Sequence, residues 1–200
     1  DGNALDSADS NNGTLQGGAS FSAAEVGQGF TFGSDGDGVT IPNSPSLNVQ
    51  SPGFTAGFWM RGIKNQPENL ATPFEKSHGW VDPTGWAFQI GSGGFPNDGV
   101  ARFYLSDGTF SDIIGSVDVL DGNFHYLAGT WDGSVTRFYV DGVLQGTAFN
   151  ATPANNTRGV NIGFTWGGGV PRRFFRGTAD ELRVFNRALS APEIQAIFAA

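Results

Sequence analysis

Two tryptophans sit in segments too rich in glycine and proline to be ordinary strands. Trp80 lies within Lys76-Ser77-His78-Gly79-Trp80-Val81-Asp82-Pro83, and Trp166 lies within Gly163-Phe164-Thr165-Trp166-Gly167-Gly168-Gly169. A ring displayed on such a loop offers an apolar platform to the face of a sugar, while polar neighbours fix the hydroxyls. It can equally fold back over the rim of the domain as packing. Arg172 and Arg173 follow Trp166; their guanidinium forks match a carboxylate or an acidic sugar bidentately, or form a solvated loop tip. With His78, these residues make up the candidate carbohydrate-binding set.

A second concentration of chemistry stands at the start of the chain. Asp1, Asn3, Asp6 and Asp9 crowd oxygen donors into nine residues, and a hard cation such as calcium takes six to eight oxygens. The EF-hand pattern is not met, because Leu5 holds the fifth position and no glycine follows at the sixth. The bland alternative is an Asx-rich loop of turns and caps. Asp180 lies among Ala179, Leu182 and Val184, where an unpaired carboxylate would be costly. Asp35-Gly36-Asp37-Gly38 has the residues of a metal loop but is read as a turn.

Catalytic patterns are missing. The chain has five glutamates, Glu25, Glu68, Glu75, Glu181 and Glu193, and no alternating Glu-x-Asp-x-x-Glu strand. Asp180 and Glu181 are adjacent, so in a regular strand their carboxyls point to opposite faces. There is no G-x-S-x-G elbow, H-E-x-x-H or P-loop. The expectation is a protein that is not an enzyme, with no catalytic residues. With no cysteine, disulfides, thiol catalysis and zinc-thiolate sites are excluded.

The elements that must position these residues are strands. Leu, Ile, Val and Phe make up 49 of 200 residues, 18 of them Phe, enough for a packed core. Gly at 31, Pro at 10 and only 15% charged residues favour an all-β chain with many turns. Apolar alternation marks Phe30–Phe32, Val39–Ile41, Phe54–Arg61, Trp86–Ile90, Arg102–Leu105, Ile113–Ile114, Phe124–Trp131, Val135–Val140, Val143–Leu144, Val160–Ile162 and Thr178–Phe185. Ser34-Asp35-Gly36-Asp37-Gly38 is read as a hairpin turn joining the first two. Trp59, Trp86 and Trp131 fall in strong strand patterns and are assigned to the core; His125, between two core strands, is assigned a structural role. Ser190-Ala191-Pro192-Glu193 has the form of a capping box opening a short helix. Ile194, Ile197 and Phe198 share one of its faces, expected to pack on the sandwich edge.

A net charge of −8 with only two lysines argues against nucleic acid as a partner. No apolar run reaches the roughly 20 residues of a membrane helix, so membrane insertion is not expected. Asp1-Gly2-Asn3 has the look of a chain cut at a domain edge.

Taken together, six blocks resemble a known family. Asp1-Gly2-Asn3-Ala4-Leu5-Asp6-Ser7 with Asn12-Gly13-Thr14-Leu15 resembles the opening of laminin-G-like modules of the concanavalin A-like lectin/glucanase superfamily. The resemblance continues through Gly29–Phe32 with Asp37–Pro42, Phe54–Trp59, Asp121–Gly133, Phe138–Gly142 and Gly177–Ser190, in order and over nearly the whole chain. It implies an antiparallel jelly-roll β-sandwich occupying residues 1–200 as one domain. It also implies a module of a larger secreted or cell-surface bacterial protein, whose partners are a glycan or polysaccharide and other domains of the same chain. A structural calcium ion is implied too, held by the N-terminal segment and the Asp180 block: Asp1, Asn3, Asp6 and Asp180. The expected function is non-catalytic carbohydrate binding. The alternatives are an adhesion or spacer module, and a glycosidase or lyase with an unrecognised site.

Overall fold

The computed structural model describes residues 2–48, 52–79, 82–93, 97–108, 112–149 and 154–200. Its strands are β1 (Thr14–Gln16), β2 (Ser20–Ala23), β3 (Gln28–Phe32), β4 (Gly38–Ile41), β5 (Phe54–Ile63), β6 (Ala71–His78), β7 (Asp82–Ile90) and β8 (Val100–Ser106). They continue as β9 (Asp112–Asp118), β10 (Asp121–Trp131), β11 (Val135–Val140), β12 (Val143–Phe149), β13 (Val160–Ile162), β14 (Thr165–Gly167), β15 (Val170–Arg172) and β16 (Gly177–Phe185), followed by one helix, α1 (Ala191–Phe198). One seven-stranded sheet has the order β1-β4-β13-β6-β7-β8-β9 and the other β12-β11-β10-β5-β16-β3-β2; β14 and β15 form a small sheet of their own. Every pairing is antiparallel. This is a jelly-roll β-sandwich.

Aromatic side chains fill the space between the sheets. Phe58 of β5 meets Phe74 of β6 at 5.4 Å and Phe88 of β7 at 5.1 Å, ring centre to ring centre. Phe54 likewise reaches Trp86 at 5.5 Å. These are edge or tilted contacts, the geometry that the ring quadrupole favours. Gly129 on β10 makes room for Phe103: a Cβ there would stand 2.4 Å from that ring. Trp86 and Trp131 are buried in this core, as their strand patterns implied.

The short helix lies on the outer face of the β5-containing sheet rather than at the sandwich edge. β5 is buried on both faces: Phe58 and Met60 point into the core, while Trp59 joins Tyr126, Tyr139, Leu189 and Ile194 in a second cluster. Phe198 stacks on Trp59 at 5.6 Å. An apolar outer face on a central strand needs a cover, and the helix supplies it. The Glu193 carboxylate reaches back to accept from the Ser190 N–H and hydroxyl at 2.8 and 2.7 Å.

The Ser34–Gly38 turn is not a hairpin. β3 and β4 belong to opposite sheets, so the segment carries the chain across the sandwich. The Asp37 carboxylate shapes this bend by accepting from the amides of Gly33, Ser34 and, from another turn, Gly18, at 2.9, 2.8 and 2.7 Å. A two-sided acidic turn looks alike in sequence whether its strands pair or part.

Candidate functional site

The sheet containing β6 turns one face to the core and lays a polar row across the other. Strand alternation sends Phe74 inward and Glu75 outward. The register then aligns Asn161, Glu75, Ala87, Tyr104 and Asp112 across five neighbouring strands. Glu75 is the centre of the arrangement. Its Oε1 accepts from Asn161 Nδ2 at 3.1 Å, and its Oε2 accepts from the hydroxyls of Ser77 and Thr165 at 3.0 and 2.8 Å. Ser77 Oγ lies 2.7 Å from the Tyr104 hydroxyl. Glu75 is 0% exposed. Burial pushes its carboxyl up to about 7, although the three hydrogen bonds and the positive charge of Arg173 pull the other way. Burial raises the Tyr104 phenol as well, and the neighbouring Glu75 adds to it.

The β14–β15 hairpin pairs with neither large sheet; Thr165 ties it to Glu75, and backbone bonds from Gly163 to Pro73 and from Thr72 to Arg173 hold its base on β6. Between the hairpin, the end of β6 and the segment before β13 lies a cavity of about 460 Å³, lined by Ser77, Thr157, Arg158, Gly159, Asn161, Trp166 and Gly169. A tryptophan, an arginine, an asparagine and two hydroxyl-bearing residues thus border one concavity of ligand size. Trp166 is partly buried and meets Phe164 edge-on at 6.1 Å. Contrary to the loop expected from sequence, it stands on a short strand, whose Gly168-Gly169 turn accounts for the glycine run. Gly79 abuts it from below: a Cβ there would lie 2.9 Å from the Trp166 carbonyl oxygen.

The wall formed by residues 156–159 is held by Lys76. Its Nζ donates to Asn43 Oδ1 at 2.9 Å, to the Arg158 carbonyl at 2.8 Å, and to the Asn156 carbonyl and Oδ1 at 3.2 and 3.4 Å. Asn156 is fixed in turn by donating to the Thr84 carbonyl at 2.7 Å. Burial draws the Lys76 ammonium down to about 8.

The other candidates from sequence are placed as follows. Arg173 has φ +50° and is partly buried beside the polar row. Burial lowers its guanidinium, while Tyr104, Glu75 and Glu68 act in the opposite direction. Its backbone N–H donates to Glu68 Oε1 at 2.9 Å. Arg172 is exposed on β15 and borders neither the cavity nor the row. Trp80 lies outside the described residues, as does the side chain of His78, whose backbone ends β6. Sequence reading had passed over Glu75, Lys76, Ser77, Asn161 and Thr165. The signal that could have found the first three is a short run, Glu75-Lys76-Ser77, between the apolar residues of Ala71–Phe74 and the Gly79 turn.

The acidic candidates gather elsewhere. Asn3, Asp6 and Asp180 line a second cavity, of about 500 Å³, between the N-terminal segment and β16. Asp6 is occupied in shaping its own loop: it accepts from the amides of Ala8 and Asn11 at 2.9 and 3.2 Å and from Asn11 Nδ2 at 3.0 Å. Asp180, 5% exposed, accepts from the Val26 amide at 2.8 Å and from the Glu181 amide at 2.9 Å. It sits at a register shift where Glu181 takes φ +49°. Its remaining lone pairs, with Asn3 nearby, suit a hard oxygen-seeking cation and not a soft one. Among the described residues no three His, Cys, Asp or Glu side chains gather closely enough to hold an ion. The other oxygens would have to be carbonyl, amide or water, and Asp1 lies outside the described residues.

His125 is structural in its surroundings. Its Nδ1 lies 2.8 Å from Asp141 Oδ2 and its Nε2 lies 3.1 Å from Asp121 Oδ1. These partners raise the imidazole, with the Asp141 bond the largest cause and partial burial opposing it.

Comparison with known proteins adds the following. A family model described as the concanavalin A-like lectin/glucanases superfamily, of laminin-G type, matches residues 32–195. No curated protein matches the sequence. Among solved structures, domain 4 of AbnA, a GH43 extracellular arabinanase from Geobacillus stearothermophilus in complex with arabinotriose, superposes with a TM-score of 0.75. The identity is 17%, over 98% of this chain and 92% of that one. The binding domain of Paraclostridial Mosquitocidal Protein 1 gives a TM-score of 0.76 at 15% identity over 96% of this chain and 48% of that one. The Botulinum neurotoxin serotype G binding domain gives 0.73 at 14% identity over 96% and 47%. The chain therefore spans about half the length of the two toxin binding domains. No helix among the described residues is long and apolar enough to cross a membrane.

Proposed function

We propose, for a chain that belongs to the laminin-G-like branch of the concanavalin A-like lectin/glucanases superfamily, that it is a non-catalytic carbohydrate-binding module whose sugar enters the cavity beside Trp166. The observation that carries this reading is the partly exposed indole at the edge of a cavity that also presents Arg158, Asn161, Ser77 and Thr157. Stacking on the ring supplies affinity, and the amide, hydroxyls and guanidinium select the orientation of sugar hydroxyls. Similar binding domains, one of them in complex with arabinotriose, support a binding role for this fold.

The carboxylates support a non-catalytic reading. Glu75 and Asp112 share the outer face but stand three strand spacings apart, about 14 Å of backbone. Glycosidases need their two carboxyls roughly 5–5.5 Å apart for retention, or roughly 6.5–9.5 Å for inversion. Asp112 is moreover ion-paired with Arg102.

In this reading Asp180 and Asn3, with Asp1 and Asp6 as the further acidic candidates, hold one calcium ion. Its part is electrostatic: it would fasten the N-terminal segment to β16. The module works as one part of a larger extracellular or cell-surface bacterial protein. A glycan array, run with calcium and with chelator and including arabinan oligosaccharides, tests the reading. Selective binding to at least one glycan is the expected result. A clean array at high protein concentration would favour the spacer alternative, and release of reducing ends from any polysaccharide would reinstate the enzyme.

A further inference from the structure

Glu75 and Lys76 are neighbours on β6, and strand alternation sends them to opposite faces. Neither lines the Trp166 cavity, but each is bonded to residues of a different part of its lining. Glu75 ties Thr165 of the hairpin to Asn161 of the floor. Lys76 gathers the carbonyls of Asn156 and Arg158 and the side chain of Asn43. Resting on the reading of that cavity as the sugar site, we infer that this dipeptide positions the site: ligand is taken while Glu75 is ionised and Lys76 is protonated, and is lost when either is neutral.

The hydrogen-bond inventory gives the reason. Three groups donate to the Glu75 carboxylate, an arrangement only an acceptor-only anion satisfies. Once protonated, the carboxyl must itself donate, so one of the three donors has to turn away. Thr165 has a second acceptor at hand, the Trp166 carbonyl at 3.4 Å, and a hydroxyl that turns to it loosens the tip of the hairpin over β6, while the backbone bonds at Gly163 and Arg173 still hold its base. Lys76 shows the converse. Its ammonium has three N–H bonds for four oxygens on three residues, all four between 2.8 and 3.4 Å. It takes the place a metal ion would hold in a loop of carbonyls. A neutral amine would turn a lone pair toward oxygens that have no proton to offer.

Among the described residues, other charges around the pair are few. Glu75 faces Tyr104 and, beyond it, Arg102 from β8, together with Arg173 from the segment after β15, behind which stands Glu68. The neighbouring strands β7 and β13 set the uncharged Ala87 and Asn161 opposite it. Lys76 has the uncharged Trp86 across from it on β7, and Arg158 offers it a backbone carbonyl. Burial places Glu75 at about 7 and Lys76 at about 8, so the doubly charged form is most populated between those values. Apparent affinity scales with the competent fraction, which falls roughly sixfold from pH 7.5 to pH 6, and equally to pH 9.

The experiment has two arms on the intact chain. Calorimetric titration with arabinotriose from pH 5.5 to 9.5 is expected to give a bell with its maximum between pH 7 and 8. Glu75→Gln should bind several-fold more weakly and lose the acid limb. Lys76→Arg keeps a positive charge at every pH used, so it should bind and lose only the basic limb. The second arm needs no sugar: hydrogen-exchange protection of the Arg158 amide, which donates to Asn156 Oδ1 at 2.9 Å, should drop about fivefold or more by pH 9 in the unaltered chain and hold steady in Lys76→Arg. Protection that ignores pH, or an affinity flat across the range, would overturn the inference. Protection that follows pH while arabinotriose fails to bind at any pH would leave the positioning pair standing and count against arabinan as the ligand.

Discussion

Removing the Trp166 side chain separates recognition from folding. A tryptophan buries about 150–250 Å² when fully covered. Trp166 is partly buried, so at most roughly 90 Å² of it remains for a sugar to cover. At about 25 cal/mol per Å² the ceiling is about 2.2 kcal/mol of binding free energy, a loss of roughly 40-fold in affinity. The folding side of the ledger is smaller. Among the described contacts the ring meets Phe164 edge-on at 6.1 Å, an interaction worth about 0.5–1.5 kcal/mol, and the hairpin carrying the ring contributes no rung to either large sheet. Trp166→Ala should therefore lower affinity by roughly tenfold to 40-fold and stability by about 1 kcal/mol. Trp131→Ala, at 1% exposure in the core, should cost about 3–5 kcal/mol. Calorimetry with the strongest array ligand and urea denaturation of the same preparations read both quantities. A folded Trp166→Ala protein that binds within twofold of the unaltered one would refute the site. A loss of 3 kcal/mol or more in stability would mean that the ring is rim packing.

Three other perturbations have definite expected outcomes. If calcium joins the N-terminal segment to Asp180, a hundredfold excess over Kd stabilises by about 2.7 kcal/mol; chelation should then lower Tm by several degrees, and Asp180→Ala should abolish that response, whereas a metal-free protein indifferent to calcium and chelator would remove the ion from the reading. His125 is raised in the fold, chiefly by Asp141, so its contribution is full below its ordinary value of 6.5 and fades as pH rises through the folded value; the urea midpoint should decline between pH 6 and 8.5 by more than it does in His125→Gln. Its partner Asp121 is lowered to about 2, first by the Asn123 amide, and so stabilises above the ordinary aspartate value and loses that contribution as pH falls toward 2. Gly129→Ala would set a methyl 2.4 Å from the Phe103 ring; overpacking of this kind costs about 1–3 kcal/mol, and a midpoint unchanged in urea would show that the sheets can part more easily than the core packing implies.

The scaffold was legible where alternation was apolar. β5, β10 and β11 announce themselves because aromatic and aliphatic residues crowd Phe54–Met60, Phe124–Trp131 and Phe138–Val140, and the Asp-Gly turns between β10 and β12 follow from local chemistry. β6 stayed hidden for the same physical reason that it matters. Its outward residues are polar yet buried, and Lys76, among its inward ones, ends in a cage of carbonyls, so the strand lacks the contrast that periodicity detects. The site was half visible. Trp166 stood out as an aromatic with no strand to justify it, and the structure gives it a short strand at the edge of the cavity. Glu75 did not stand out, since its significance comes from three donors supplied by β6, β13 and β14, residues up to 90 positions away in the chain. Arg172 and Arg173 looked equivalent in sequence. A left-handed backbone at Arg173 sends the second inward and leaves the first outside.

The independence of the β14–β15 hairpin has a consequence for how such a module diversifies. Lengthening, shortening or recolouring a strand within either seven-membered sheet shifts register, and with it every side chain on both faces. The hairpin is exempt, because its rungs are formed only with itself. Residues 166–172 can be exchanged while the anchor at Thr165 is kept. Selection can then search ligand specificity on a short segment at little risk to folding, with the Glu75–Thr165 contact and the flanking bonds at Gly163 and Arg173 as the joints each new version has to respect.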